Sequence, residues 1–347
     1  MSTRQEKFSG TTDVAERHRF DTVSLERYLT GQVPGFAGPL TVRAFKGGQS
    51  NPTYRLETPN RNYVLRRKPP GKLLPSAHAV DREYRVMTAV GTTGFPVPET
   101  RVLCTDDSVI GTWFYVMDCV EGRIFWEPTL PDLEPQERRA IYEAMIGVLA
   151  KLHRIDYEAI GLSDFGKPGN YFARQIHRWT KQYRLSEGER IEAMELLIEW
   201  LPAHIPPGDE NTIVHGDYKL DNMIFHPTEP RVVAILDWEL STIGHPLGDL
   251  SYHCMQWRSA FKDLDLPALG IPTLDEYTAA YCEQVGRAQI ENWNFYLAYN
   301  LFRGAAIAQG IAGRVRDGTA ASAWATEVSA SIGPTAEAAW ALAQQTE

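Results

Sequence analysis

Three oxygen-bearing side chains stand where phosphate chemistry would need them. Asp217 and Asn222 lie in the run His215-Gly216-Asp217-Tyr218-Lys219-Leu220-Asp221-Asn222, and Asp237 lies in Ile235-Leu236-Asp237-Trp238-Glu239. Phosphoryl transfer needs a carboxylate that positions or deprotonates the attacking hydroxyl, and oxygen ligands that hold Mg²⁺ against the phosphates. Asp217 suits the first task, Asn222 and Asp237 the second. Taken singly, Asp217 and Asp221 also read as turn residues and His215 as a histidine that holds the loop. A metal-dependent hydrolase built on His215, Asp217, Asp237 and His245 is a further reading. Its spacing fits no common zinc pattern, and oxygen-rich ligation favours Mg²⁺.

The elements that must position these residues fall into two parts. Leu40 to Arg67 alternates apolar and polar residues in three runs, LTVRAF, TYRLE and NYVLRR. They are broken by Gly47-Gly48-Gln49-Ser50-Asn51 and by Thr58-Pro59-Asn60-Arg61-Asn62, which predicts an antiparallel meander. A short helix is expected at Val23 to Thr30 and another at Ala77 to Val90, with strands at Val102 to Leu103 and Thr112 to Val120. From Glu134 to Arg154, Ile141, Met145, Val148, Leu149 and Leu152 recur at helical spacing, and the composition turns helix-rich.

Further helices are expected at Asn170 to Arg184, Gly188 to Leu201, Thr273 to Val285, Asn292 to Ala312 and Ala320 to Gln344. One strand pair, Thr212 to Val214 with Val232 to Leu236, interrupts them. The expectation is an α+β chain with an N-lobe at residues 1–121 and a C-lobe at 122–347, divided near Glu121-Gly122-Arg123. A chain of 347 residues can build a core in each part without disulfide or metal staples.

The formal charge of −9, from 35 Lys and Arg against 44 Asp and Glu, disfavours nucleic acid and anionic membranes as partners. The four cysteines, Cys104, Cys119, Cys254 and Cys282, form no CxxC or Cys/His spacing and read as buried thiols of a reducing compartment. No apolar run approaches the ~20 residues of a membrane helix. The start, Met1 to Phe20, carries Glu6, Asp13 and Glu16 and suits neither a secretory signal nor a transit peptide, so the cytoplasm is the expected location.

The runs HGDYKLDN and ILDWE, followed by Gly248-Asp249-Leu250, resemble the aminoglycoside phosphotransferase and choline kinase superfamily. The stretches FKGGQSNPTYRLE and YVLRRKPPGKLLPSAHAVDREYRV resemble the kinase-like domain of acyl-CoA dehydrogenase family members 10 and 11. The similarity runs from about Leu40 to Arg314. It implies a bilobal protein-kinase-like fold that uses ATP and Mg²⁺ to phosphorylate a hydroxyl of a small molecule. On this resemblance Asp217 is the catalytic base, and Asn222 and Asp237 bind Mg²⁺.

The resemblance also pairs a strand cation with a helix carboxylate, here Arg66 with Glu83. Lysine is usual at the strand position, and the planar guanidinium of Arg66 is not its equivalent. Solvated charges on a strand edge and a helix surface are the competing readings of these two positions. Gly47, Gly48, Gln49 and Ser50 sit where backbone N–H groups could cover phosphates, or else form an ordinary hairpin turn. In Val116-Met117-Asp118-Cys119-Val120, the carbonyl of Asp118 and the amide of Val120 are implied adenine contacts; a plain strand end is the alternative.

Asp249 is expected to support the catalytic loop, with a helix N-terminal carboxylate as the alternative. Arg303 and Arg314 are candidate contacts for an anionic acceptor, beside an aromatic set (Trp293, Phe295, Tyr296, Tyr299, Phe302) that reads as core. The acceptor implied by the dehydrogenase-associated branch is a hydroxyacyl-CoA or hydroxy acid, whereas the wider superfamily takes aminoglycosides or choline. A nucleotide-binding pseudokinase is the reading from another class, motivated by Arg66. Protein-kinase activity is disfavoured because HGD replaces HRD and no APE segment follows Asp237. Oligomeric state is not legible in the chain.

Overall fold

The structure, a computed structural model, describes residues 8–46, 51–69, 78–186, 188, 190–316 and 325–345. The chain forms two compact units. One comprises residues 1–165, 219–241 and 263–273, and the other residues 166–218, 242–262 and 274–347.

The first unit is built on a six-stranded antiparallel sheet, in the order β1 (Thr11–Thr12), β2 (Thr41–Phe45), β3 (Thr53–Glu57), β4 (Asn62–Arg67), β6 (Phe114–Asp118) and β5 (Thr100–Cys104). The meander expected between Leu40 and Arg67 is present as β2, β3 and β4. The sheet also recruits the two-residue β1, which the sequence did not signal.

Strand alternation gives the sheet two different faces. On one, Tyr54, Leu56, Tyr63, Leu65, Phe114 and Val116 form a core with Leu25 and Leu29 of the helix Thr22–Gln32, whose first turn is capped by Asp21. On the other, Val64, Arg66, Tyr115 and Met117 line a cavity together with Met87 of the helix Val80–Gly91. Burying the first face of apolar side chains, each worth roughly 1.5–3 kcal/mol, holds the sheet so that the second can carry polar groups.

The segment 219–241 joins this unit as a hairpin, Met223–Phe225 against Val232–Ile235. Here the expected strand pairing is corrected. Thr212–Val214 does not pair with the strand ending near Leu236; it pairs in the other unit with Thr242–Gly244. Each strand is short, and its own composition did not specify its neighbour.

In the second unit the helix Trp293–Arg316 buries Phe295, Tyr296, Tyr299 and Phe302, so the aromatic set is core. It packs with the helices Tyr171–Leu185 and Pro246–Cys254. All four cysteines are free thiols; Cys104, Cys254 and Cys282 are buried, and Cys119 is half-buried. Among the described residues no helix is long and apolar enough to cross a membrane.

Candidate active site

Arg66 and Arg67 are adjacent on β4, an interior strand, and alternation sends them to opposite faces. Arg67 is 4% exposed, stacks over Phe20 and Tyr54 and donates to the carbonyl of His18. Arg66, 8% exposed, points into the cavity. Neither is a solvated edge charge. Arg66 Nε lies 2.8 Å from Glu83 Oε2, and its terminal nitrogen lies 2.5 Å from Asp237 Oδ1 and 3.4 Å from Glu239 Oε2.

Glu83 is therefore not a helix-surface carboxylate; it is 1% exposed. Burial pushes its carboxyl up to about 7, while the Arg66 charge draws it back down. The Tyr115 hydroxyl, kept neutral by burial, donates to Glu83 Oε2 at 3.1 Å, and Asn51 Nδ2 donates to Oε1 at 2.9 Å. Asn51 also reaches Glu239 Oε2 at 3.2 Å. The cluster sets one guanidinium among three carboxyl groups, those of Glu83, Asp237 and Glu239.

Asn222 and Asp237 are brought side by side by the hairpin. Met223 pairs with Ile235, and the Leu236 N–H donates to the Asn222 carbonyl at 2.8 Å. Asp237 has φ +65°, a left-handed conformation that a non-glycine residue holds only when its surroundings impose it. The next residue, Trp238, is anchored beside it: it is 1% exposed, its indole N–H donates to the Ile235 carbonyl, and the Phe95 ring meets it at 80° in an edge contact.

Asp118 and Val120 line the same cavity of about 850 Å³ as Arg66, Asn222 and Asp237. The Asp118 carboxylate is engaged by Arg101 at 2.6 and 2.7 Å, so what it can present to a ligand is backbone. Gly122 brings this segment onto the hairpin. Arg123 and Phe225 exchange backbone hydrogen bonds at 2.8 Å, and a Cβ at Gly122 would sit 2.2 Å from the Phe225 carbonyl oxygen. The loop Gly47, Gly48, Gln49 and Ser50 lies outside the described residues.

Asp217, His215, Asp249 and Arg303 belong to the second unit. Gly216 turns the loop with φ +85°, a conformation that glycine adopts at no steric cost. Asp249, 1% exposed, accepts from the N–H groups of His215 (2.5 Å) and Gly216 (2.7 Å), as the expected loop support would. His215 is buried, and its Nδ1 accepts from the Asp217 N–H at 3.2 Å, which matches a loop-holding histidine. His245 caps the helix Pro246–Cys254 by accepting from the Leu247 N–H.

Arg303 is 7% exposed and donates to the Gly216 carbonyl at 2.7 Å; Arg314 is exposed on the same helix. Tyr252, whose hydroxyl donates to Asp217 Oδ1 at 2.6 Å, was not singled out by sequence reasoning. Its signal was present, since it lies three residues after Asp249 and shares that helix face. Glu239 was likewise passed over, although it stands two residues after Asp237.

A model of the phosphotransferase enzyme family matches residues 41–293. Acyl-CoA dehydrogenase family member 10 of Mus musculus is 48% identical over 329 residues, covering 92% of this chain but only 31% of that longer protein. A crystal structure from Ralstonia eutropha JMP134, named for an aminoglycoside phosphotransferase, is 53% identical with a TM-score of 0.88, covering 95% of this chain and all of the other. A thermostable aminoglycoside phosphotransferase mutant, solved with AMP-PNP and hygromycin B, shares the fold at 15% identity and a TM-score of 0.61, covering 93% and 100%. The sheet-rich first half and helical second half are thus a kinase-like arrangement, and the chain belongs to the phosphotransferase enzyme family.

Proposed function

We propose that this protein transfers the γ-phosphoryl group of ATP to a hydroxyl of a small molecule. The observation that carries the reading is the single cavity in which Arg66, Asp118, Val120, Asn222 and Asp237 meet, because these are the groups a nucleotide and its metal require. Nucleotide use is also supported by the AMP-PNP complex of a protein that shares the fold. The residues present suit Mg²⁺, since Asn222 and Asp237 offer hard oxygen donors to the cavity. When bound, that ion neutralises charge on the phosphates.

In this reading the Asp118 carbonyl and the Val120 N–H take the adenine edge. Arg66, oriented by Glu83, grips the α- and β-phosphates, and the backbone of Gly47, Gly48, Gln49 and Ser50 covers them. Asp217 accepts the proton of the acceptor hydroxyl as its oxygen bonds to the γ-phosphorus. The bond from that phosphorus to the bridging oxygen breaks, and ADP leaves. His215 and Asp249 hold the loop that carries Asp217. The division into an N-lobe (1–121) and a C-lobe (122–347) that work on nucleotide and acceptor respectively belongs to the same reading, as does cytoplasmic work on a dissolved acceptor.

A hydroxyacyl-CoA or hydroxy acid is the acceptor class favoured by similarity to a protein named as an acyl-CoA dehydrogenase family member. The name of the Ralstonia structure favours an aminoglycoside instead. A second reading, a nucleotide-binding pseudokinase, draws support from Arg66 and its contact with Asp237.

Wild type and Asp217→Asn incubated with Mg·ATP and a panel of hydroxyacyl-CoAs, hydroxy acids, choline and aminoglycosides separate these readings. Acceptor-dependent ADP with a product heavier by one phosphoryl group, lost in the variant, is the expected result. Nucleotide binding without turnover on any acceptor favours the pseudokinase, and no nucleotide binding removes both.

A further inference from the structure

We propose that Tyr252 and Arg303 are positioning residues for Asp217, fixing between them the direction in which its carboxylate meets the acceptor hydroxyl. The inference rests on the reading of Asp217 as the base. The Tyr252 hydroxyl donates to Asp217 Oδ1 at 2.6 Å, a hydrogen bond to a charged acceptor and so one of the stronger kind. Arg303 stands directly behind it, with its guanidinium carbon 5.0 Å from the centre of the Tyr252 ring and 5.6 Å from that of Trp179.

Arg303 is 7% exposed, and a guanidinium that deep must be compensated where it lies. Two aromatic faces and the Gly216 carbonyl, 2.7 Å from its terminal nitrogen, supply part of that compensation, while its Nε is buried without a hydrogen-bond partner. Its charge is therefore committed beneath the loop and is not turned toward an acceptor.

The consequence is a glycine ahead of the base that is tied through both of its flanking peptide groups. The Gly216 N–H is held by Asp249 Oδ1 at 2.7 Å and its carbonyl by Arg303, so the left-handed turn at φ +85° cannot swing. Tyr252 then fixes the side chain of the next residue, Asp217. Asp249 and Tyr252 come from one face of the helix Pro246–Cys254, so a single element sets both the loop and the carboxylate. Misplacing a reacting group by about an ångström costs on the order of a hundred-fold in rate, which is the scale of effect such anchoring protects.

The test compares wild type, Tyr252→Phe, Arg303→Lys and Asp217→Asn with Mg·ATP and whichever panel acceptor turns over fastest. Tyr252→Phe keeps the ring and the stack and removes only the donor. It should lower kcat about ten-fold or more, leave KM for ATP and acceptor within about two-fold, and leave the melting temperature unchanged.

A kcat equal to wild type, or a loss carried by KM, overturns the proposal. Should Tyr252→Phe fail to fold, Arg303→Lys is read by the same kcat and KM criteria. Full turnover in Asp217→Asn, or none in wild type, defeats the reading of the base itself. Loss in Asp217→Asn with wild-type kcat in Tyr252→Phe defeats this inference alone.

Discussion

Arg66 and Glu83 form an ion pair of 2.8 Å in which both partners are withdrawn from solvent, 8% and 1% exposed. A buried pair of this kind is costly to break and sensitive to the shape of the cation. Arg66 also reaches Asp237, so its geometry couples the proposed phosphate cation to a proposed metal ligand.

Arg66→Lys keeps the charge but loses the fork that spans Glu83 and Asp237. We expect a folded protein whose KM for ATP rises about ten-fold, the equivalent of roughly 1.4 kcal/mol. Arg66→Met leaves three carboxylates facing one another and should lose at least about a hundred-fold in kcat/KM for ATP. Steady-state kinetics at saturating acceptor measure both.

Asp249 satisfies two buried backbone donors at once. Asp249→Ala leaves the His215 and Gly216 N–H groups without their acceptor, at about 1–3 kcal/mol for each buried group. The variant should melt several degrees lower and lose nearly all turnover. Asp249→Asn keeps one acceptor oxygen and should fall between it and wild type in differential scanning fluorimetry and in kcat.

Gly122 allows the segment after β6 to lie against Phe225. An added methyl must push that strand pair apart, and overpacking of this sort costs about 1–3 kcal/mol. Because Asn222 immediately precedes the same strand, Gly122→Ala should weaken Mg·ATP binding as well as stability. Isothermal titration and thermal melting report the two effects, and loss of stability alone would separate Gly122 from the nucleotide cavity.

His253 is buried in the second unit between the Tyr218 carbonyl (3.2 Å) and the Tyr277 hydroxyl (2.8 Å), and burial lowers its pKa from 6.5 to about 4. Between those values the unfolded chain binds the proton and the folded one does not. The stability is therefore complete above 6.5 and is lost as pH falls toward 4, by up to about 3 kcal/mol. Chemical denaturation of wild type from pH 7 to 4 should show this loss relative to His253→Gln, which cannot titrate there. Parallel curves for the two proteins would contradict it.

Chelation provides the last expectation. EDTA should abolish turnover and added Mg²⁺ restore it, and Asn222→Ala should raise the Mg²⁺ concentration needed for half-maximal rate. An unchanged metal requirement in that variant would remove Asn222 from the ligand set.

Much of the molecule was legible in the chain. Asp217, Asn222 and Asp237 could be proposed as site residues from the chain because phosphate chemistry restricts the residue types and a loop restricts their spacing. Alternation in TYRLE and NYVLRR gave the meander, since a strand buried on one face must place side chains with a period of two. The partners of the short strands were not legible. Thr212–Val214 and Val232–Ile235 were expected to pair with each other, yet they pair with Thr242–Gly244 and Met223–Phe225 respectively. Composition records that a segment is extended, and it does not record which neighbour supplies the hydrogen bonds.

The adjacent arginines of β4 mark the limit most sharply. The chain alone fixes that Arg66 and Arg67 lie on opposite faces of a strand. Only the tertiary structure decides which face meets Glu83 and Asp237 and which meets Phe20 and Tyr54. Tyr252 is the same case across longer range, for its hydroxyl reaches Asp217 from 35 residues away. Local sequence sets dihedral preference and periodicity, whereas the juxtaposition of distant charges is set by which apolar faces bury against each other.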